Sequence, residues 1–222
     1  MHTPRIYNSA PQGPIVTKKF SRVGETDRSY VILNEKQKEK FIKTVERIVR
    51  TSQEYKDYIQ YLKEYIDMKE CSFFSNVNNR YNKKIRIEIH HEPLTLYYIT
   101  QIVVDKWIKE DWELNPILIA EEVMKVHYEN KVGLIPLSKT VHTLVHSGSL
   151  FIPLQNVYGR YVTFIKEYEE YISSDIMAVI ENKLKISKEL NSIDENNKLE
   201  KKFIYLEVEG WNLPQIIEKE GK

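Results

Sequence analysis

Apolar residues recur along this chain with two different periods, and the switches between them outline its elements. Behind Asn34, whose side chain suits a helix N-cap, Phe41, Ile42, Val45, Ile48 and Val49 fall at helical spacing. A second helical stretch over 53–68 carries Tyr55, Tyr58, Ile59, Leu62, Tyr65 and Ile66. Such an aromatic stripe predicts core packing, although the same rings could stack on nucleobases. The Asn-rich residues 75–84 predict a loop. The period then changes to two: Lys84-Ile85-Arg86-Ile87-Glu88-Ile89 alternates strictly between polar and apolar, as a half-buried strand does. That strand runs into His90-His91-Glu92-Pro93, where the proline stops it.

Two further helices are predicted. Thr95 can cap the first, which gathers Leu96, Ile99, Ile102, Val103 and Trp107 on one side. The second opens with Asn115-Pro116, a cap followed by proline at the first helical position, and runs to about residue 130. Residues 133–137 predict a short extended segment. Ser138 is then a plausible N-cap for a helix over 139–147, which Gly148 ends. Another apolar piece covers 150–154. Residues 161–190 again look helical and heavily charged, 191–202 form a polar linker, and 203–208 have the pattern of a final short strand. Residues 1–29, with Pro4, Pro11, Gly13, Pro14 and Gly24, predict an extended arm. No internal repeat is present. Helices and short strands in this order predict an α+β chain.

Composition narrows the class. The 222 residues are 41% hydrophobic and 29% charged, as in ordinary soluble domains. No apolar run reaches the roughly 18 residues of a membrane span. The N-terminus lacks the apolar block of a signal peptide. The single cysteine, Cys71, excludes an intramolecular disulfide and a Cys-rich zinc knuckle. A cytoplasmic protein, of a bacterial cell or a phage-infected host, is the expectation. The net charge of +1 conceals an asymmetry, since residues 1–86 hold 18 Lys/Arg against 10 Asp/Glu. A basic N-terminal part suits a phosphate-binding surface, and it equally suits a solvated basic face.

Five of the six histidines lie between positions 90 and 146. His142 and His146 are four apart on a predicted helix, so both side chains lie on one face and can share a metal ion. His90 and His91 are neighbours in a strand and point to opposite sides. One can complete a three-nitrogen site with the helix pair, while the other faces a substrate and takes a proton from water. Three protein ligands leave coordination positions for a phosphate oxygen and a leaving oxygen. Glu88 shares strand parity with His90 and could orient a ligand from behind. Arg86 and Lys139 are candidate phosphate contacts. Glu88, Glu92, Arg86 and Lys139 fit equally as ordinary surface charge, and His127 reads as a packing residue.

The segments Ile87-Glu88-Ile89-His90-His91-Glu92-Pro93-Leu94 and Gly133-Leu134-Ile135-Pro136-Leu137-Ser138-Lys139-Thr140-Val141-His142-Thr143-Leu144-Val145-His146 resemble the two halves of an HNH endonuclease motif, in the style of phage-encoded HNH-like proteins. The resemblance implies a ββα-metal (HNH) core embedded in additional helices. It implies His90, His142 and His146 as ligands of one divalent ion (Mg, Mn, Zn or Ni) and His91 as the general base. The implied activity is hydrolysis of nucleic-acid phosphodiesters, with double-stranded DNA the expected partner. Ser138 stands where many members have a structural-zinc cysteine. The family's asparagine, which steadies the base, would fall on Gly133, with Asn130 a nearby substitute. About 40 residues and two predicted helices separate the halves. The resemblance covers residues 85–148 only; periodicity and composition complete the expected organisation as an arm (1–29), a helical N-terminal region (30–84), the HNH-like core with a helical insertion (85–159), and a helical C-terminal appendage with a tail (160–222). The missing asparagine keeps a rival open: a catalytically inactive HNH-fold module that binds nucleic acid or protein, as part of a phage assembly.

Overall fold

A computed structural model of the chain describes residues 34–80 and 82–196. The predicted arm over 1–29 and the predicted strand over 203–208 lie outside the described residues. The described residues mix helices with two small two-stranded sheets, an α+β arrangement. They divide into two compact units, each discontinuous in sequence.

One unit comprises the described residues up to Tyr65, together with Leu94–Val132 and Gly159–Met177. Its helices are α1 (Glu35–Thr51), α2 (Gln53–Glu64), α3 (Leu96–Lys109), α4 (Pro116–Tyr128) and α6 (Tyr161–Glu167). Each of the first four starts where a short polar side chain relieves an unpaired backbone N–H. Asn34 accepts from the Gln37 N–H at 3.0 Å and Ser52 from that of Tyr55 at 3.1 Å. Thr95 accepts from Tyr98 at 3.2 Å, and Asn115 from Ile117 at 2.9 Å with Pro116 in the first turn. The helices bury the residues whose spacing predicted them, including Phe41, Ile42, Val45 and Val49 on α1 and Ile99, Ile102 and Val103 on α3. Burying such a side chain stabilises the fold by about 1.5–3 kcal/mol before entropy is counted.

On α2, Tyr55 and Tyr58 are buried and pack edge-on against the His127 ring, at centroid distances of 6.0 and 5.6 Å. The tyrosine stripe is thus core at these positions. His127 is wholly buried, with Nδ1 2.6 Å from the Val123 carbonyl oxygen, and is the packing residue the sequence suggests. The 161–190 region is not one helix. Helix α6 gives way to a 3-10 turn over Glu169–Tyr171 before α7 (Ser174–Asn196) begins.

The other unit comprises Ile66–Pro93, Gly133–Tyr158 and the described residues from Ala178 on, which include most of α7. Strands β1 (Glu70–Cys71) and β2 (Phe74–Asn78) pair antiparallel, so the predicted loop over 75–84 begins with strand residues. Strands β3 (Ile87–His91) and β4 (Leu134–Ser138) also pair antiparallel, with His90 opposite Ile135 and His91 opposite Leu134. The Ser72 N–H donates to the Pro136 carbonyl at 2.9 Å and ties the first sheet to the second. Helix α5 (Lys139–His146) follows β4 without a loop. Ser138, the last strand residue, caps it by accepting from the Val141 N–H at 3.4 Å. Cys71, Phe73, Ile87, Ile135, Leu137, Val141 and Ile152 form the hydrophobic core beneath.

Candidate metal centre

Strand β3 and helix α5 supply the three histidines. Register places His90 at the end of β3, and the four-residue spacing puts His142 and His146 on one face of α5. One nitrogen from each of the three rings lies within 4.8 Å of the other two. The Nε2 atoms of His142 and His146 are 3.0 Å apart. The His90 ring meets the other two edge-on, at centroid distances of 5.0 and 5.1 Å. The cluster grades from inside to outside: His90 is 6% exposed, His142 half-buried and His146 exposed. Three imidazole nitrogens converging in this way are a donor set that fits a divalent transition ion.

Glu88 occupies the place its parity with His90 predicts. Its Oε2 lies 2.6 Å from Nδ1 of His142, leaving Nε2 of that ring turned toward the cluster. A carboxylate behind a ligating imidazole fixes the tautomer and the ring angle. Burial depresses the His142 pKa first, the neighbouring His90 and His146 rings depress it further, and Glu88 opposes both effects. A ring kept neutral is the form that binds metal.

The other sequence candidates fall as follows. Arg86 is exposed but paired, its Nε 2.8 Å from Glu88 Oε1. Lys139 is exposed at the first turn of α5, and its backbone N–H donates to the Arg86 carbonyl at 3.3 Å. His91 is buried at 6% exposure and does not belong to the convergent nitrogen set. Strand alternation directs it away from the side carrying Glu88 and His90.

Gly133 corrects the expectation drawn from the motif. A Cβ built there would stand 1.8 Å from the Glu92 carbonyl oxygen and 2.8 Å from Val157 Cγ1. The Glu92 N–H also donates to the Gly133 carbonyl at 3.0 Å. Glycine stands here because two backbone segments touch, and no asparagine side chain fits. Asn130 has its own task, closing α4 in the left-handed conformation at φ 54° and donating its N–H to the His127 carbonyl.

Two further residues stand beside the cluster: Glu92, whose sequence reading as surface charge its burial corrects, and Lys183, which the sequence does not single out. Glu92 is almost fully buried, with Oε2 3.4 Å from His90 Nε2. Its Oε1 lies 2.6 Å from Nζ of Lys183 on α7, which also donates to the Pro93 carbonyl at 2.9 Å. The sequence signal for Glu92 was its adjacency to the histidine pair. Lys183 had none, being one of many charges on a charged helix.

No curated protein and no solved structure matches the chain. A family of virion proteins does match, over residues 15–211. Nearly the whole length is covered, so the chain belongs to the bacteriophage G278-like virion protein family.

Proposed function

We propose that this virion-family chain is a divalent-metal-binding ββα module of the HNH type that serves in a phage assembly, with His90, His142 and His146 as its ligands. The observation that carries the reading is the convergence of three imidazole nitrogens from β3 and α5, one of them backed by Glu88. Family membership supports the assembly role. Two features favour a site that holds metal without cutting: Gly133 leaves no space for the base-steadying asparagine, and His91 is buried. The test is metal analysis of purified protein together with zinc titration. One equivalent bound by the wild type, and none by a His142→Ala/His146→Ala double variant, is the expected result. Equal binding by both would overturn the ligand set.

A second reading, a metal-dependent endonuclease acting on double-stranded DNA, is favoured by one specific observation. The set has three protein donors and His146 at an exposed rim, the open form typical of catalytic sites. A divalent ion held there would polarise a phosphodiester and stabilise the leaving oxygen. His91 would accept the proton of the attacking water, and Lys139 would meet a phosphate. A supercoiled-plasmid assay with Mg, Mn, Zn or Ni separates the two readings. EDTA-sensitive nicking that disappears in His90→Ala supports the nuclease, whereas metal-loaded protein that cuts nothing supports the non-cutting module.

A further inference from the structure

We infer that Glu92 is a positioning residue of the metal centre. Anchored by Lys183 through one oxygen, it faces Nε2 of His90 with the other and so commits Nδ1 of His90 to the ion. This rests on the metal-binding reading above.

The argument begins with burial. Glu92 and His90 have side chains only 4% and 6% exposed, so neither finds its partners in bulk water. A buried carboxylate needs cations or N–H donors around it. Glu92 has the Lys183 ammonium at 2.6 Å on Oε1 and the His90 ring nitrogen at 3.4 Å on Oε2. The second separation lies just outside the usual hydrogen-bond range of roughly 2.7–3.2 Å, at ion-pair distance. An ionised carboxylate accepts and never donates, so the proton on that edge of His90 belongs on Nε2. A neutral imidazole carries one proton, which leaves Nδ1 as its lone-pair donor.

Position supports the same assignment. Glu92 has no oxygen in the set of atoms that lie within 4.8 Å of one another, so it is not one of the convergent donors although it touches His90. The centre is then flanked by two carboxylate–histidine arms of opposite tautomer. Glu88 holds Nδ1 of His142 and frees Nε2, while Glu92 holds Nε2 of His90 and frees Nδ1. Lys183 fastens the second arm from α7, gripping both the Glu92 carboxylate and the Pro93 carbonyl.

Glu92→Gln is the decisive variant. Its amide oxygen can still accept from Lys183, but the amide nitrogen then faces His90 and donates, which forces the proton onto Nδ1 and removes the proposed donor. Zinc affinity, read by chelator competition, should fall by about 10- to 100-fold, the usual effect of losing such a partner. On the wild-type protein, two-bond proton–nitrogen correlation of labelled histidine in the zinc-loaded state should show His90 protonated at Nε2 and metal-bound at Nδ1. A merely structural Glu92 would not set that tautomer, and the measurement does not depend on the variant folding. Zinc binding with His90 ligated through Nε2, or unchanged affinity in a folded Glu92→Gln protein, overturns the inference alone. A wild-type protein that binds no zinc overturns the metal reading, and the inference with it.

Discussion

Gly133→Ala adds a single carbon, yet the structure gives it a large effect. The new Cβ would lie 1.8 Å from the Glu92 carbonyl oxygen, where real Cβ contacts essentially never fall below 3.0 Å. The difference between those two distances means that the backbone pair must part by about 1.2 Å or more. The neighbour is backbone and not the end of a flexible side chain, so relief requires moving the segment that carries His90, His91 and Glu92. Overpacking of this kind costs about 1–3 kcal/mol, and losing the 3.0 Å bond from the Glu92 N–H adds about 1 kcal/mol. A local destabilisation of roughly 2–4 kcal/mol lowers hydrogen-exchange protection of the β3 and β4 amides by about 30- to 1000-fold. Amide exchange followed by NMR or mass spectrometry measures this segment by segment, which suits a chain with two compact units. Zinc affinity should fall in parallel, because His90 moves with the displaced strand end. Gly133→Asn should do no better than alanine, since its clash begins at the same atom. Unchanged protection across β3 and β4 in Gly133→Ala, with wild-type zinc affinity, would refute the close-approach argument.

His127 makes a pH prediction. Burial holds its pKa at about 4 against 6.5 for the free side chain, so the unfolded state binds the proton first as pH falls. Its contribution is therefore complete above about pH 6.5 and is lost on the way down to about pH 4, a total of about 3 kcal/mol. His127→Phe, which keeps an aromatic ring between Tyr55 and Tyr58, should flatten the stability–pH curve across that window. An unchanged slope in chemical denaturation would assign the acid sensitivity elsewhere. At the histidine cluster, if it holds zinc as proposed, His142→Ala and His146→Ala should each lower zinc affinity by at least 100-fold without greatly shifting the apo melting temperature. Equal affinity in either variant would remove that residue from the ligand set. If metal-dependent nicking is observed, His91→Ala should retain zinc and lose about 10²- to 10⁴-fold in rate, while His90→Ala loses both. The reverse pattern would exchange their roles.

Much of the local structure was legible because its causes are local. A cap acts within three residues of itself, so Asn34, Ser138 and Asn115-Pro116 marked helix starts that the fold contains. The alternation through Ile87 and Ile89 marks β3, and the spacing of His142 and His146 by itself puts both on one side of α5. Strand parity put Glu88 on the side of His90 as a possible orienting residue beside its reading as surface charge, and the fold sets its carboxylate against His142. The remainder depended on contacts between distant segments. Only the pairing of β3 with β4 carries His90 to a helix some 50 residues later, and only the approach of Glu92 to Gly133 explains why glycine replaces the expected asparagine. Lys183 reaches Glu92 and Pro93 across 90 residues, and nothing in a charged helical pattern distinguishes it from its neighbours. Periodicity records which face of an element avoids water. Which element it then meets is decided by packing, and the histidine cluster of this chain is built from such meetings.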